Sequence, residues 1–342
     1  DLHLTEQCQQ SCIDLLRRDP GNYHALDYGL AALMELGDLE GGKEIIELAS
    51  RQEDDPHLMY QTAVARMMRG EEEWARGVFE RFLQEDPEEV GTYINLMRIH
   101  HLAERYDKVE ELYQEASRRG LDHEDLHFNM GLALKARKRD REAAPYFVKT
   151  VRRSGEIPDA HFHLAQILRS EGHPRLAMAM LQREMMVDDT QPGVHAEMAW
   201  CAEDIGEYEE AVRMIRAAVE RAPDWGIYQH SLAELMLKAE QDAEEAEKIA
   251  RQAVKLDPEQ AAGWQVLGRL AAEREDYSDA ERMLRKAVAA RDSTAEDEGW
   301  LGLLLADSDR RQAARPFLER AARTFPFWTP VGDALGRIRG HA

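Results

Sequence analysis

One string in this chain has the residues of a hydrolytic metal site: His123-Glu124-Asp125-Leu126-His127. In an H-E-x-x-H helix the two histidines share a face and bind zinc, while the glutamate activates a water. The local context opposes that chemistry. His123 is placed in a turn before its helix, so the two rings would not share a helical face. His127 falls in a bulky position that Tyr93 and Trp264 fill in similar segments. No third ligand follows, because Gly131 comes one residue late for the extended pattern and Leu134 and Lys135 offer no imidazole near the last position.

The other reactive residues read as packing. Cys8 and Cys12 lie one helical turn apart and are both expected on a buried face, where free cysteine behaves as a small hydrophobe. A metal pair completed by His3 would still lack the fourth ligand of a closed zinc site. Cys201, beside Trp200, is expected in the core, and three cysteines cannot build a disulfide framework. Cysteine usage leans toward a cytoplasmic setting; a periplasmic one stays open if a leader was removed. His161 and His163 are two apart on a helix and face different ways. Met178, Met180, Met185 and Met186 crowd one helix and read as core filling, with an adaptable contact surface as the alternative. The chain has no G-x-x-x-x-G-K-[ST] loop, no G-x-G-x-x-G after a strand and no G-x-S-x-G elbow. The sequence therefore predicts no enzyme and assigns no catalytic, cofactor-binding or metal residue.

The elements behind these residues repeat. Trp264, Leu267, Gly268, Tyr277, Ala280, Leu284 and Ala287 form a ladder that returns as Met198, Ala199, Tyr208, Ala211, Ile215, Ala218 and Pro223. It returns again as Leu301, Gly302, Ala314, Leu318, Ala321 and Pro326. Each copy is two helical patterns and a turn, about 34 residues in all, and cannot bury its apolar face alone. Stacked neighbours share one core, the physics of a solenoid. Copies are read at 23–56, 57–88, 90–122, 124–157, 158–190, 192–223, 226–258, 261–292 and 295–326. Small departures, the reversed Gly29-Leu30 and extra residues near Gly155 and Gln241, read as loop adjustments. Residues 1–20 read as the second helix of a truncated repeat, and 327–342 as a cap or the start of another. These ends, with no initiator methionine, suggest an excised part of a longer protein.

The bulky residue, the Leu-Gly or Leu-Ala pair, the two spaced alanines and the closing proline resemble the tetratricopeptide repeat family. The resemblance covers nearly the whole chain. It implies an all-α fold, an α-solenoid in which about nine antiparallel helix pairs and partial repeats at both ends wind into one right-handed superhelix. It also implies that the first helices line a concave groove for an extended or helical segment of another protein. The family's groove positions fall on His57, Tyr60, Val64 and Met67, then on Ile94, Arg98 and His101, then on Phe128, Leu132 and Lys135. They continue on Phe162, Gln166 and Arg169, and on Ala196, Trp200 and Glu203. Tyr60, Phe128, Phe162 and Trp200 would form an aromatic track interrupted by Arg98, Lys135 and Arg169, residue types that dominate binding hot spots. Ordinary packing between repeats is the competing account of these aromatics. Later copies offer Gln265, Arg269 and Glu273, a more polar line, so binding is expected in the first two-thirds of the chain. The Lys/Asn clamp of chaperone-tail binders is not matched, since Asn95 and Asn129 have Ile94, Arg98, Phe128 and Leu132 as neighbours.

Composition bounds the partners. The formal charge is −22, from 66 acidic and 44 basic residues. Such a balance opposes binding to nucleic acid, where cations must neutralise phosphates, and docking on an anionic membrane. No apolar stretch approaches the roughly 20 residues of a membrane helix. The expectation is a non-enzymatic scaffold that binds a protein or peptide. The alternatives are a periplasmic scaffold of envelope assembly or polysaccharide export, or the substrate-selecting part of a larger enzyme. Phe325, Phe327 and Trp328 are expected to pack under the terminal helix, with self-association at the C-terminal end as the alternative.

Overall fold

The computed structural model describes residues 2–37, 42–52 and 54–340. These form twenty helices and, among the described residues, no strand. The chain divides into two compact units, one up to Ala160 and one from His161 on.

The first unit begins with α1 (Leu2–Leu16) and continues through four helix pairs. They are α2 (Tyr23–Leu36) with α3 (Lys43–Ala49), α4 (Pro56–Met68) with α5 (Glu72–Glu85), α6 (Val90–Leu102) with α7 (Tyr106–Arg118), and α8 (Glu124–Ala136) with α9 (Asp140–Arg153). The second unit holds five pairs: α10 (Ala160–Ser170) with α11 (Pro174–Val187), α12 (Pro192–Asp204) with α13 (Tyr208–Arg221), α14 (Gly226–Lys238) with α15 (Ala243–Leu256), α16 (Ala261–Glu273) with α17 (Tyr277–Ala289), and α18 (Ala295–Asp307) with α19 (Arg311–Thr324). A last helix, α20 (Thr329–Gly340), follows. Each unit is an α-solenoid of stacked hairpins.

The ladder explains the pairing. In α13, Ala211, Ile215 and Ala218 are fully buried and recur at helical spacing, facing Ala199 and Ala202 of α12. Burial of a side chain such as Ile215 stabilises by about 1.5–3 kcal/mol. The small slot in each first helix is where the two backbones approach. A Cβ on Gly268 would stand 2.6 Å from Leu284 Cγ, and one on Gly302 would stand 2.9 Å from Leu318 Cγ. Ala63, Ala165, Ala199 and Ala233 fill the slot elsewhere, all fully buried.

The turn inside each hairpin repeats as well. Gly70, Glu104, Lys138, Gly172, Gly206, Glu240, Glu275 and Asp309 all have positive φ, between 52° and 82°. They recur every 34 residues, with one step of 35 before Glu275. A left-handed residue here ends the first helix and reverses the chain. Five of the eight are not glycine and hold a conformation that a Cβ disfavours.

One expectation about α1 is corrected. Cys12 is buried but Cys8 is exposed. The buried stripe of α1 runs through Gln9, Cys12 and Leu16, so Cys8 falls one position outside it. The side chain of His3 lies outside the described residues.

Candidate functional site

The H-E-x-x-H string is structural. His123 is the N-cap of α8, in extended backbone, and its ring accepts a hydrogen bond from Asp125 N–H at 3.2 Å. Glu124 pairs with Arg153 at 3.2 Å. His127 is buried with both ring nitrogens engaged, Nδ1 with the Tyr113 hydroxyl at 2.9 Å and Nε2 with Asp122 at 2.7 Å. Burial holds its pKa below the usual imidazole value despite the Asp122 contact. These bonds tie α7, α8 and α9 together. Among the described residues no group of three His, Cys, Asp or Glu side chains is placed to hold a metal. Burial raises Cys12 to about 11, with Cys8 adding to it, and raises Cys201 to about 12. Neither is a thiolate at neutral pH.

In the first unit, the groove positions divide by burial. Tyr60 is half-buried, its hydroxyl accepts from Asn95 Nδ2 at 2.9 Å, and its ring stands edge-on to Phe79 and Phe82 at 5.3 and 5.7 Å. Burial raises its pKa. Val64 borders the same apolar cluster, whereas Met67 and Ile94 are buried outright. Arg98 is exposed. His101 is half-buried against Tyr106, and burial lowers its pKa. Phe128 meets Phe147 edge-on at 5.9 Å, and Leu132 and Lys135 are half-buried. His57 is exposed and binds Asp27 at 2.9 Å.

In the second unit the first helices carry a connected polar and aromatic face. Phe162 and Gln166 are half-buried. Arg169 binds Glu197 at 2.6 Å and Asp204 at 3.4 Å, and its guanidinium lies 5.7 Å from the Trp200 ring. Trp200 donates its indole N–H to Ser231 at 3.4 Å, and Ala196 is fully buried beneath. Glu203 binds Lys238 at 2.7 Å, and Lys238 binds Glu234 at 2.6 Å. Burial pulls the Lys238 pKa down, but the two carboxylates outweigh it and raise it overall.

The same motif returns further on. Arg269 stacks on Trp300 at 4.3 Å, and burial lowers its pKa. Trp300 donates to Glu296 at 3.2 Å. A cleft of about 570 Å³ opens here between α16, α18 and α20, lined by Arg269, Glu273, Trp300, Leu303, Asp307 and Arg337. Gln265 is buried and donates to Asp297 at 3.1 Å, so it holds the wall rather than facing solvent.

Sequence reasoning did not name Ser231, Lys238, Trp300 or Arg337. A signal was present: Arg169 and Trp200 are 31 residues apart, and so are Arg269 and Trp300. At the C-terminal side, Phe327 is 95% exposed, whereas Trp328 turns inward against Trp300 at 5.3 Å.

Comparison with known proteins agrees with this fold. Residues 197–261 match a tetratricopeptide repeat model. No curated protein matches the chain. Among solved structures, a chain of the APC/C hetero-tetramer Cut9-Hcn1 superimposes with a TM-score of 0.59 at 15% identity, covering 93% of this chain. The present chain spans 64% of that one. PilF of Pseudomonas aeruginosa gives a TM-score of 0.51 at 17% identity, covering 63% of this chain and 97% of PilF. The C-terminal part of a TPR protein from Cytophaga hutchinsonii gives 0.52 at 14% identity, covering 71% and 99%. None of the twenty described helices is long and apolar enough to cross a membrane. Residues 197–261 are tetratricopeptide repeats, and the helix pairs on either side of them carry the same fold.

Proposed function

We propose that this chain is a non-catalytic scaffold whose first helices bind segments of partner proteins. The fold is one that supports protein interaction in general. The observation that carries the finer reading is the second unit's first-helix face. Two half-buried indoles, Trp200 and Trp300, each sit under an arginine from the preceding first helix, and Trp300 also borders the open cleft. A preformed aromatic and Arg surface needs little reorganisation to take up an extended or helical segment. The half-buried Tyr60, Phe128, Leu132 and Lys135 offer the corresponding face of the first unit.

The test is affinity capture by the whole chain against a Trp200→Ala/Trp300→Ala variant whose helical circular dichroism matches the parent. A partner retained by the parent and lost by the variant supports the reading. Equal retention by both refutes it for the second unit. Self-association is a second reading, favoured by the exposure of Phe327. It predicts a concentration-dependent mass in light scattering that Phe327→Ser abolishes.

A further inference from the structure

We infer that the first unit has a docking cup for an arginine-bearing segment of a partner protein, at the junction of α4, α5 and α6. The inference rests on the scaffold reading above and gives it a partner chemistry. The cup has a volume of about 520 Å³, ample for one long side chain and its neighbours. Its floor is the edge-to-face pair of Tyr60 and Phe82, and its rim carries Glu85, Asp86 and Glu89.

The charge is one-sided. Asp86 and Glu89 make no ion pair among the described residues. The Asp86 carboxylate accepts only a local backbone N–H, from Glu88, and Glu89 caps α6 by accepting from Gly91 N–H at 2.9 Å. Glu85 meets Arg81 at 4.0 Å, the outer limit of contact. The lining contributes no Lys or Arg, and the His57 imidazole at the mouth is turned to Asp27 and Gln61. The buried Thr92 hydroxyl also lines the cup and completes no well-formed hydrogen bond, its weak approach to the Tyr60 hydroxyl aside.

Aromatic floor and acidic rim together match one kind of side chain. An arginine can lay its methylene stem and guanidinium on the two rings while its N–H fork reaches the rim carboxylates. An aliphatic residue would leave the rim uncompensated. An acidic one would be repelled by it.

The experiment is fluorescence anisotropy of a fluorescein-labelled peptide of alternating arginine and leucine on the whole chain, at low and moderate salt. A Glu85→Gln/Asp86→Asn/Glu89→Gln variant keeps the shapes and the local N–H contacts while removing the charge. A Glu240→Gln/Glu244→Gln/Glu275→Gln variant removes the same charge from the second unit. The expected result is about tenfold weaker binding for the first variant and under about twofold for the second. Equal weakening in both would reduce the effect to overall charge and overturn the cup. No binding by the parent would also overturn it. If the peptide fails while partner capture still depends on Trp200 and Trp300, the scaffold reading survives and the arginine class alone falls.

Discussion

Acidification should destabilise this fold through His230 in a way that one substitution removes. The imidazole is 1% exposed and bridges two repeats: Nδ1 accepts from Gly263 N–H at 2.8 Å, and Nε2 faces the Asp257 carbonyl at 3.3 Å. That pattern requires the neutral ring, with its proton on Nε2. Protonation would aim a second N–H at the Gly263 N–H. Burial accordingly holds the pKa below the usual imidazole value, although the Asp257 carbonyl and the nearby Asp257 and Asp292 charges oppose it. Well above the usual imidazole pKa of about 6.5 both folded and unfolded chains carry a neutral ring, and the site contributes little pH dependence. Below it the unfolded chain takes up a proton that the folded chain refuses, so stability falls as pH falls. In the limit where the native ring stays neutral, the loss between pH 7 and pH 5.5 is about 1.2 kcal/mol. His230→Gln cannot titrate, so its stability curve should be flatter than the parent's by about that amount, whatever its stability at pH 7. Urea unfolding followed by far-ultraviolet circular dichroism at pH 7, 6.5, 6 and 5.5 gives both curves. Parallel curves would show that His230 does not refuse a proton, and the argument would fail.

Further outcomes follow from other buried contacts. Glu184 has no solvent exposure and accepts from the backbone N–H groups of His161 and Phe162 at 3.1 and 3.2 Å, so Glu184→Ala should cost about 2–3 kcal/mol in urea unfolding. A cost under half a kcal/mol, within the range of ordinary surface substitutions, would contradict that capping role. Glu275 holds φ at 62°, so Glu275→Gly should leave stability unchanged or raise it by up to about 1 kcal/mol, where a helix-interior glycine would lower it. A clear loss in the same assay would mean that the Glu275 side chain matters more than its backbone. Cys8 should react with a thiol reagent in the native state, whereas Cys201 should react only after urea is added, because it is buried with its pKa raised to about 12. Rapid native labelling of Cys201, read by mass spectrometry of peptides, would overturn this.

The fold was legible because the repeat writes its packing directly into residue size. Gly268 opposite Leu284 and Ala211 beneath Ala199 are choices that a close helix pair requires, and each recurs at the same interval. The hairpin turn was less legible. Glu104, Lys138, Glu240, Glu275 and Asp309 hold left-handed backbone without the glycine that usually signals it. On α1 Cys12 lies in the core as the spacing predicts, but Cys8 does not, because a free cysteine fits either side of an amphipathic boundary and the stripe runs through Gln9, Cys12 and Leu16. The candidate surface was half visible. Trp200 was named from its family position, but Trp300 sits next to the ladder residue Leu301 and reads as core until Arg269 is found stacked on it. Met67 and Ile94 show the converse, since a groove position in one repeat becomes core when its neighbours leave no opening.

Photo-crosslinking tests the central claim most directly. A benzoylphenylalanine is placed singly at Arg98 or Leu303 on first helices and at Arg118 or Arg282 on second helices, in cells of the source organism. The account predicts protein adducts from Arg98 and Leu303 that the second-helix positions do not give. Adducts confined to Arg118 and Arg282 would move recognition to the opposite face and contradict it.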